Sequence, residues 1–195
     1  LHDVPWARAA TTVVTTVTVD GSPHVVALPV EAAQVRSGLD LAGQPKDRVS
    51  VEGVEVSPVA WDGSPHAIRH RALLLRGAQM AGALEAVSDM TRRYTTEREQ
   101  FGRPIAKFQS VQEHLVRLEQ MATMSLVAID RAARAHAIDE GSLEPTLMKL
   151  VVNENARLAV RAAHQAHGAI GMTQEYPLQL LTRRLNSWLG EWGTS

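Results

Sequence analysis

The sequence contains no cysteine, which excludes a disulfide framework, a thiolate metal site and a cysteine nucleophile. Neither sign of charge is in excess, because the formal net charge at pH 7 is -1. No general electrostatic attraction to nucleic acid or to an anionic membrane surface is therefore expected. No apolar run approaches the roughly 20 residues that cross a bilayer. This composition is compatible with a reducing cytosol, and we expect a cytoplasmic protein.

The sequence also lacks a Ser-His-Asp arrangement and the glycine fingerprints of nucleotide-binding loops. The first residues, Leu1 to Trp6, have no basic region followed by an apolar stretch, so we do not expect them to be a signal peptide. They include no initiator Met and begin in the middle of a pattern. We therefore expect either a piece of a longer chain or the product of a shortened gene.

Residues 1–61 are rich in Thr and Val, which favour strands. Thr11 to Val19 predicts one strand, Asp20-Gly21 a turn, and His24 to Val30 the returning strand of a hairpin. Gly43-Gln44-Pro45 predicts another turn, and the valines from Val49 to Val56 predict a further short strand pair. We expect three to five strands of a sheet or flattened barrel.

Residues 62–195 have a helical pattern and follow an N-cap signal at Ser64-Pro65. Hydrophobic residues from Val111 to Ala133 recur at three- and four-residue steps, as on an amphipathic helix. The predicted helices run over about 67–93, from 111 to near 141, from the Ser142 and Glu144-Pro145 start to about 168, and from Thr173 and Pro177 to near 190. The fold class is α+β, mostly α: a partial β domain followed by an antiparallel four-helix bundle.

A sheet that is cut halfway exposes unpaired strand edges. The β portion is too small to complete a domain, so we expect its remaining structure to come from more of the same chain or from another subunit. The alanine-rich helices permit close approach. We therefore predict that the chain is not a stable monomer.

The segment from Glu97 to Gln109 reads EREQFGRPIAKFQ. On its own it is a charged helix end that enters a Gly-Pro turn. Alternatively, Arg98 and Arg103 beside such a turn can grip a diphosphate, and Gln109 can pair with the edge of a nucleobase.

This segment strongly resembles the ER-QFG-PI--FQ signature of acyl-CoA dehydrogenases. In that family the signature joins the first and second helices of the C-terminal bundle and contacts the FAD of the neighbouring subunit. The resemblance implies that Arg98, Gln100, Phe101 and Gln109 bind FAD. It also implies an acyl-CoA substrate and a dimer or tetramer, homomeric or heteromeric, in which subunits share the cofactor.

Two further segments carry the same resemblance. Residues 165–177 resemble the family's Q--GG-G---EYP loop, which places Gln165, Gly168 and Ala169 at the flavin nucleotide. Ala169 departs from the second glycine of that pattern, and a Gly-x-x-Gly stretch alone is only a helix cap and turn. Val51 to Val56 resembles the strand that closes the family's β domain.

The family's catalytic base is a glutamate at one of two sites, and it removes the α-proton of a thioester. At the first site this chain has His70, followed by Arg71, which matches a family arginine and is assigned to the substrate. At the second site, Glu191 is the candidate base and Thr194 a cofactor contact, although an alignment without gaps places Trp192 at the base position. Glu191 can equally be a solvated chain end.

Two functions from different classes remain open. In the first, the chain is a subunit or fragment of an FAD-dependent acyl-CoA dehydrogenase with Glu191 as its base. In the second, it is a non-catalytic subunit that completes the FAD site of a partner. A metal site is not expected, because the i, i+4 pair His66 and His70 has no third ligand.

Overall fold

The computed structural model describes residues 1–61 and 67–192. The chain divides into two compact units, Leu1–Pro65 and His66–Ser195. The first is built from short strands and the second from helices. Among the described residues, no helix combines the length and the hydropathy that a membrane span requires.

The strands of the first unit are β1 Val4–Pro5, β2 Thr12–Val19, β3 Ser22–Pro29, β4 Gln34–Arg36, β5 Lys46–Ser50 and β6 Val59–Ala60. They form two antiparallel three-stranded sheets, with strand orders β1-β5-β4 and β2-β3-β6. The predicted hairpin is confirmed: Val19 pairs with Ser22, and the intervening Asp20 and Gly21 have φ of 50° and 79°. Positive φ at both central residues matches the twist of a two-residue hairpin loop.

The strand pair predicted between Val49 and Val56 is wrong. Strand β5 ends at Ser50, and residues 51–58 form no strand. Gly53 has a φ of 65°, which interrupts an extended path, and Val51 is exposed whereas Val49 is buried. The alternating valines therefore do not form a second strand: Val49 lies in the core, and Val56 packs against that core only partly buried and outside any strand.

A buried carboxylate fixes the loops of the first unit. Asp47 accepts hydrogen bonds from the backbone N–H of Arg8 (3.0 Å) and of Gly38 (3.1 Å), and its side chain pairs with the Arg8 guanidinium. These bonds, that of the Arg8 side chain foremost, hold the pKa of the Asp47 carboxyl well below its usual range. The apolar core beside it consists of Ala7, Val13, Val26, Leu28 and Val49.

The second unit is the predicted four-helix bundle, with α1 Ala67–Glu97, α2 Gln109–Ile138, α3 Glu144–His167 and α4 Leu178–Trp188. Two contacts show that α1 and α2 are antiparallel. Arg71 near the start of α1 pairs with Glu140 just after α2 (2.6 Å), and Ser88 farther along α1 donates to Glu119 (3.2 Å). The contact partners thus run in opposite directions along the two helices.

Helix α3 is antiparallel to both α2 and α4. The contacts that show this are Arg131–Glu144 and Asn155–Ser125 between α2 and α3, and His164–Thr182 and Lys149–Trp188 between α3 and α4. The helices therefore alternate in direction through the bundle, as short connections require.

Small residues allow α1 and α3 to lie close together. Alanines make up much of the buried face of α3: Ala156, Ala159, Ala162, Ala163 and Ala166. A Cβ atom added at Gly77 of α1 would lie 2.4 Å from the sulfur of Met148, so this position requires glycine or a shift of the methionine. The larger core residues include Met80, Leu84, Leu118, Val152, Leu178 and Leu185.

Three helix boundaries differ from expectation. Helix α1 continues to Glu97 instead of ending near 93, and α4 begins only at Leu178, after a 3-10 turn over Gly168–Met172. Leu143, not Ser142, occupies the N-cap of α3, although the Ser142 hydroxyl accepts from the N–H of Glu144 (3.3 Å). The cap predicted at Ser64-Pro65 lies outside the described residues.

Candidate functional site

A cavity of about 580 Å³ opens where the end of α1, the start of α2 and the end of α3 meet. A short hairpin of β7 Glu99–Gln100 and β8 Arg103–Pro104 forms one wall. The lining residues that bear on function are Tyr94, Arg98, Gln100, Phe101, Phe108, Gln165, His167, Gly168 and Ala169. We call this cavity the interhelix pocket.

The hairpin presents an aromatic ring to the pocket. Phe101 and Gly102 form its turn with φ of 53° and 77°, a conformation that glycine adopts without strain and phenylalanine does not. The turn leaves the Phe101 side chain 92% exposed, in edge contact with Phe108 at 6.1 Å between ring centroids. An exposed aromatic face at the mouth of a cavity is a platform on which a planar ligand can stack.

An unpaired cation lies beside this ring. The Arg98 backbone is fixed at both ends, since its N–H donates to Tyr94 and its carbonyl accepts from Ile105, both at 2.8 Å. Among the described residues the Arg98 guanidinium forms no ion pair, whereas Arg103 is stacked over Phe108 at 4.2 Å. Arg98 is therefore available to an anionic ligand, and Arg103 is occupied.

The end of α3 forms the opposite wall with its backbone. Gly168 has a φ of 66°, and no atom lies within 4 Å of the position its Cβ would occupy, so the main chain is open at this point. Gln165 and Ala169 flank it in the pocket lining. A ligand can approach backbone groups here more closely than a side chain would permit.

His167 forms the floor of the pocket, a role that sequence reasoning missed. Its ring stacks on Tyr94 (4.6 Å between centroids, 15° between planes) and contacts Tyr176 at 5.0 Å. Nδ1 donates to the Ala163 carbonyl (2.8 Å), while Nε2 is buried without a partner among the described residues. Burial lowers the pKa of His167, so the imidazole is neutral at pH 7. In the sequence, the only indication of this role is that His167 directly precedes Gly168 of the loop.

The structure brings together most of the residues assigned to FAD. Those that line the pocket are Arg98, Gln100, Phe101, Gln165, Gly168 and Ala169. Gln109 is not in the lining, although Phe108 and Ser110 on either side of it are. Thr194 lies outside the described residues.

The chemistry of this lining fits the adenosine diphosphate half of FAD. The Arg98 guanidinium, which has no ion pair among the described residues, matches a diphosphate in charge and geometry. The exposed Phe101 ring matches the adenine face, and the open backbone at Gly168 permits close approach. Ala169 adds only a methyl group to this wall.

Glu191 lies in a separate place, at the end of α4. Its carboxylate pairs with the Arg76 guanidinium at 2.6 Å, and the two side chains are only 11% and 15% exposed. The same guanidinium lies over the Trp188 ring at 4.9 Å. Arg76 is on α1 and Arg98 directly follows the last residue of that helix, so a rise of 1.5 Å per residue separates them by about 33 Å.

Lys149 and Asn153 of α3 hold the same helix end. The Lys149 ammonium donates to Asn153 (2.6 Å) and to the Trp188 carbonyl (3.0 Å), and the Asn153 amide donates to the Leu189 carbonyl (3.1 Å). Both side chains are buried, and burial lowers the pKa of Lys149 to about 8. They satisfy carbonyls that the end of a helix leaves unpaired.

The two positions that sequence resemblance offers for a base, His70 and Glu191, are linked through neighbouring residues. At the start of α1, Arg69 donates to the Trp192 carbonyl (3.2 Å), next to Glu191. His70 is buried and donates from Nδ1 to the Glu140 carbonyl (3.0 Å), whereas Arg71 is mostly exposed and pairs with the Glu140 carboxylate. Within the described residues no group of three or more His, Asp or Glu side chains is arranged to hold a metal.

Comparisons with known proteins agree with this arrangement. The chain is 30% identical over 135 residues to an acryloyl-CoA reductase (NADH) of Anaerotignum propionicum, covering 68% of this chain and 32% of that protein. It is 27% identical over 166 residues to acyl-CoA dehydrogenase FadE28 of Mycobacterium tuberculosis, covering 83% and 49%. The chain thus spans about a third to a half of the length of these relatives.

Solved structures show the same fold. A glutaryl-coenzyme A dehydrogenase in complex with glutaryl-CoA matches with a TM-score of 0.85 at 21% identity, over 99% of this chain and 54% of that one. The ChsE4-ChsE5 complex from Mycobacterium tuberculosis also matches with a TM-score of 0.85, at 19% identity over 99% and 54%. Residues 70–193 match the model of the acyl-CoA dehydrogenase C-terminal domain, and the chain therefore belongs to the acyl-CoA dehydrogenase family.

Proposed function

We propose that this chain completes the FAD site of an acyl-CoA dehydrogenase assembly that forms an α,β-double bond in a CoA thioester. The interhelix pocket holds the adenosine diphosphate half of an FAD whose flavin ring belongs to a neighbouring subunit. When bound, FAD supplies the acceptor for the hydride that leaves the β-carbon. The observation that carries the proposal is that Arg98, which forms no ion pair within residues 1–61 and 67–192, lines one pocket with the exposed Phe101 and the open backbone of Gly168.

Each pocket residue has a distinct task in this proposal. Arg98 neutralises the diphosphate, Phe101 stacks on the adenine, and Gln165 and the backbone at Gly168 and Ala169 accept or donate hydrogen bonds along the nucleotide. Gln100 lines the same wall, and Gln109 and Thr194 are proposed as further contacts. Arg71 is exposed enough to reach the thioester ligand if it releases Glu140.

Two roles remain for Glu191, and the geometry favours the non-catalytic one. A general base must present a free carboxylate oxygen to the α-proton. Here one Glu191 oxygen is held by Arg76, both side chains are largely withdrawn from solvent, and the buried Lys149 ammonium is near. His70, at the alternative base position, is also committed to a backbone carbonyl. We therefore propose a cofactor-completing subunit whose base resides on a partner.

The second candidate function is catalysis by Glu191. Arg69 near the start of α1 contacts the carbonyl of Trp192, the residue after Glu191. The resemblance puts the family's alternative base at this part of α1. In that case Glu191 accepts the α-proton once its ion pair with Arg76 opens.

Flavin reduction by an acyl-CoA distinguishes the two roles. The purified assembly should show flavin absorption bands near roughly 370 and 450 nm, as an oxidised flavin does. Glu191→Gln should leave both the flavin content and the rate of bleaching unchanged if the base lies on a partner. A fall in the bleaching rate of about two to four orders of magnitude, with flavin retained, would instead establish Glu191 as the base. Absence of flavin from the assembly would reject the proposed function itself.

A further inference from the structure

A second cavity lies between α2 and α3, and we call it the α2–α3 groove. It has a volume of about 500 Å³ and is lined on α2 between His114 and Met121 and on α3 between Leu158 and Gln165. On each helix the lining positions span seven residue steps, which a rise of 1.5 Å per residue makes about 10 Å long. The groove therefore has room for a small, extended molecule.

Two arginines give this groove a positive charge that no neighbouring carboxylate balances. Arg117 of α2 and Arg161 of α3 both line it, whereas no Asp or Glu of the described residues does. Neither guanidinium takes part in an ion pair within residues 1–61 and 67–192. Arg157, about one turn earlier on α3, is by contrast paired with Glu154. The groove therefore favours an anion, and the planar guanidinium matches a carboxylate in geometry.

The two ends of the groove differ in polarity. The Asn155 amide donates to the Met121 carbonyl (3.4 Å), so Met121 lies beside the part of α3 that carries Leu158. Both side chains line the groove, and Leu158 is 43% exposed. His114 and Gln165 line the opposite end, where His114 Nδ1 is buried without a hydrogen-bond partner in the described part of the chain. A molecule with an apolar tail and an acidic head matches this division.

We propose that the α2–α3 groove binds a small carboxylic acid with a short apolar tail. The carboxylate pairs with Arg117 and Arg161, and the tail lies along Met121 and Leu158, which removes apolar surface from water. In an assembly that acts on CoA thioesters, a free acid released by thioester hydrolysis has this chemistry. Only this choice of source rests on the proposed function, because the binding itself requires neither flavin nor a partner.

Titration of the isotopically labelled chain with octanoate, followed by backbone amide chemical shifts, tests the proposal. The shifts should concentrate at Arg117, Leu158 and Arg161 and saturate with a Kd on the order of 1 mM. Arg161→Gln should weaken binding by about 10-fold, as expected for the loss of a hydrogen bond to a charged group. Arg161 is exposed, so this change leaves the bundle core intact. Arg157→Gln is the matched control on the same helix and should leave the Kd unchanged.

Two further probes separate the head of the ligand from its tail. Acetate has the carboxylate without the tail and should bind at least about 10-fold more weakly than octanoate. Octylamine has the same tail with a positive charge and should not shift these residues.

Four results would overturn the proposal. They are octanoate shifts that remain unsaturated at roughly 10 mM, shifts that gather at Arg98 and Phe101 instead, equal affinity for acetate and octanoate, and equal weakening by Arg157→Gln and Arg161→Gln. ADP binding to the interhelix pocket is measured separately on the same chain. A failure of octanoate binding therefore leaves the proposed function untouched, and a failure of ADP binding leaves the groove untouched.

Discussion

The Arg76 guanidinium lies 2.6 Å from the Glu191 carboxylate, and the two residues join the middle of α1 to the end of α4. The pair is flanked by the Trp188 ring and by the buried Lys149 ammonium. The residue that sequence resemblance offers as a catalytic base is thus held in an ion pair that links the last helix to α1. This relationship supports the proposal that the chain is a cofactor-completing subunit.

Removal of Arg76 should destabilise the bundle. Arg76→Met leaves the Glu191 carboxylate without its partner, and breaking a largely buried pair costs on the order of 3 kcal/mol of unfolding free energy. The double variant Arg76→Met/Glu191→Met removes both charges and should recover most of that loss. Denaturant unfolding measures both. Equal unfolding free energies for Arg76→Met and the wild type would show that the pair is not an anchor.

Arg98→Ala should release flavin from the assembled protein. A lost charge-assisted hydrogen bond costs roughly 1.5–3 kcal/mol, which corresponds to about 10- to 150-fold in affinity. Arg103→Ala is the matched control, because Arg103 is stacked over Phe108, and it should weaken flavin less. Flavin absorption after gel filtration gives the measurement, and equal flavin content in Arg98→Ala and wild-type assemblies would refute the Arg98 assignment.

Lys149 should make stability rise with pH above neutrality. Its pKa is lowered by burial to about 8 in the folded chain, against the ordinary value of 10.5 in the unfolded chain. Between these values the unfolded chain binds more protons, so the unfolding free energy increases as pH rises, by on the order of 3 kcal/mol at most. Lys149→Met should abolish this rise, whereas Lys107→Met, which removes an exposed lysine, should retain it. Parallel pH curves for Lys149→Met and the wild type would contradict the assignment.

Local signals in the sequence predicted the hairpin, the four helices and the break after α1. Asp20-Gly21 dictates its turn through positive φ, and the periodic apolar residues of α2 specify a buried face. The strand pair expected after Val49 failed because alternation alone does not reveal that Gly53 adopts a left-handed conformation. Residue patterns thus report local conformation, except where a single glycine overrides them.

The candidate site could be predicted only where resemblance supplied it. Arg98 and Gln165 come from segments far apart in the chain, and only the packing of α1 and α3 unites them in one pocket. The residues that neighbour Arg76 and Glu191 in the sequence do not predict their ion pair. The sequence around His167 likewise does not distinguish it from the other histidines on helices. These contacts depend on the register of packed helices, which a single sequence does not encode in a readable pattern.

Titration of the isotopically labelled chain with ADP, followed by backbone amide chemical shifts, tests the central claim most directly. If the interhelix pocket holds the adenosine diphosphate half of FAD, the shifts should concentrate at Arg98, Phe101, Gln165, Gly168 and Ala169, and Arg98→Ala should abolish them. An absence of shifts in this pocket at millimolar ADP, or shifts gathered elsewhere on the bundle, would contradict the account.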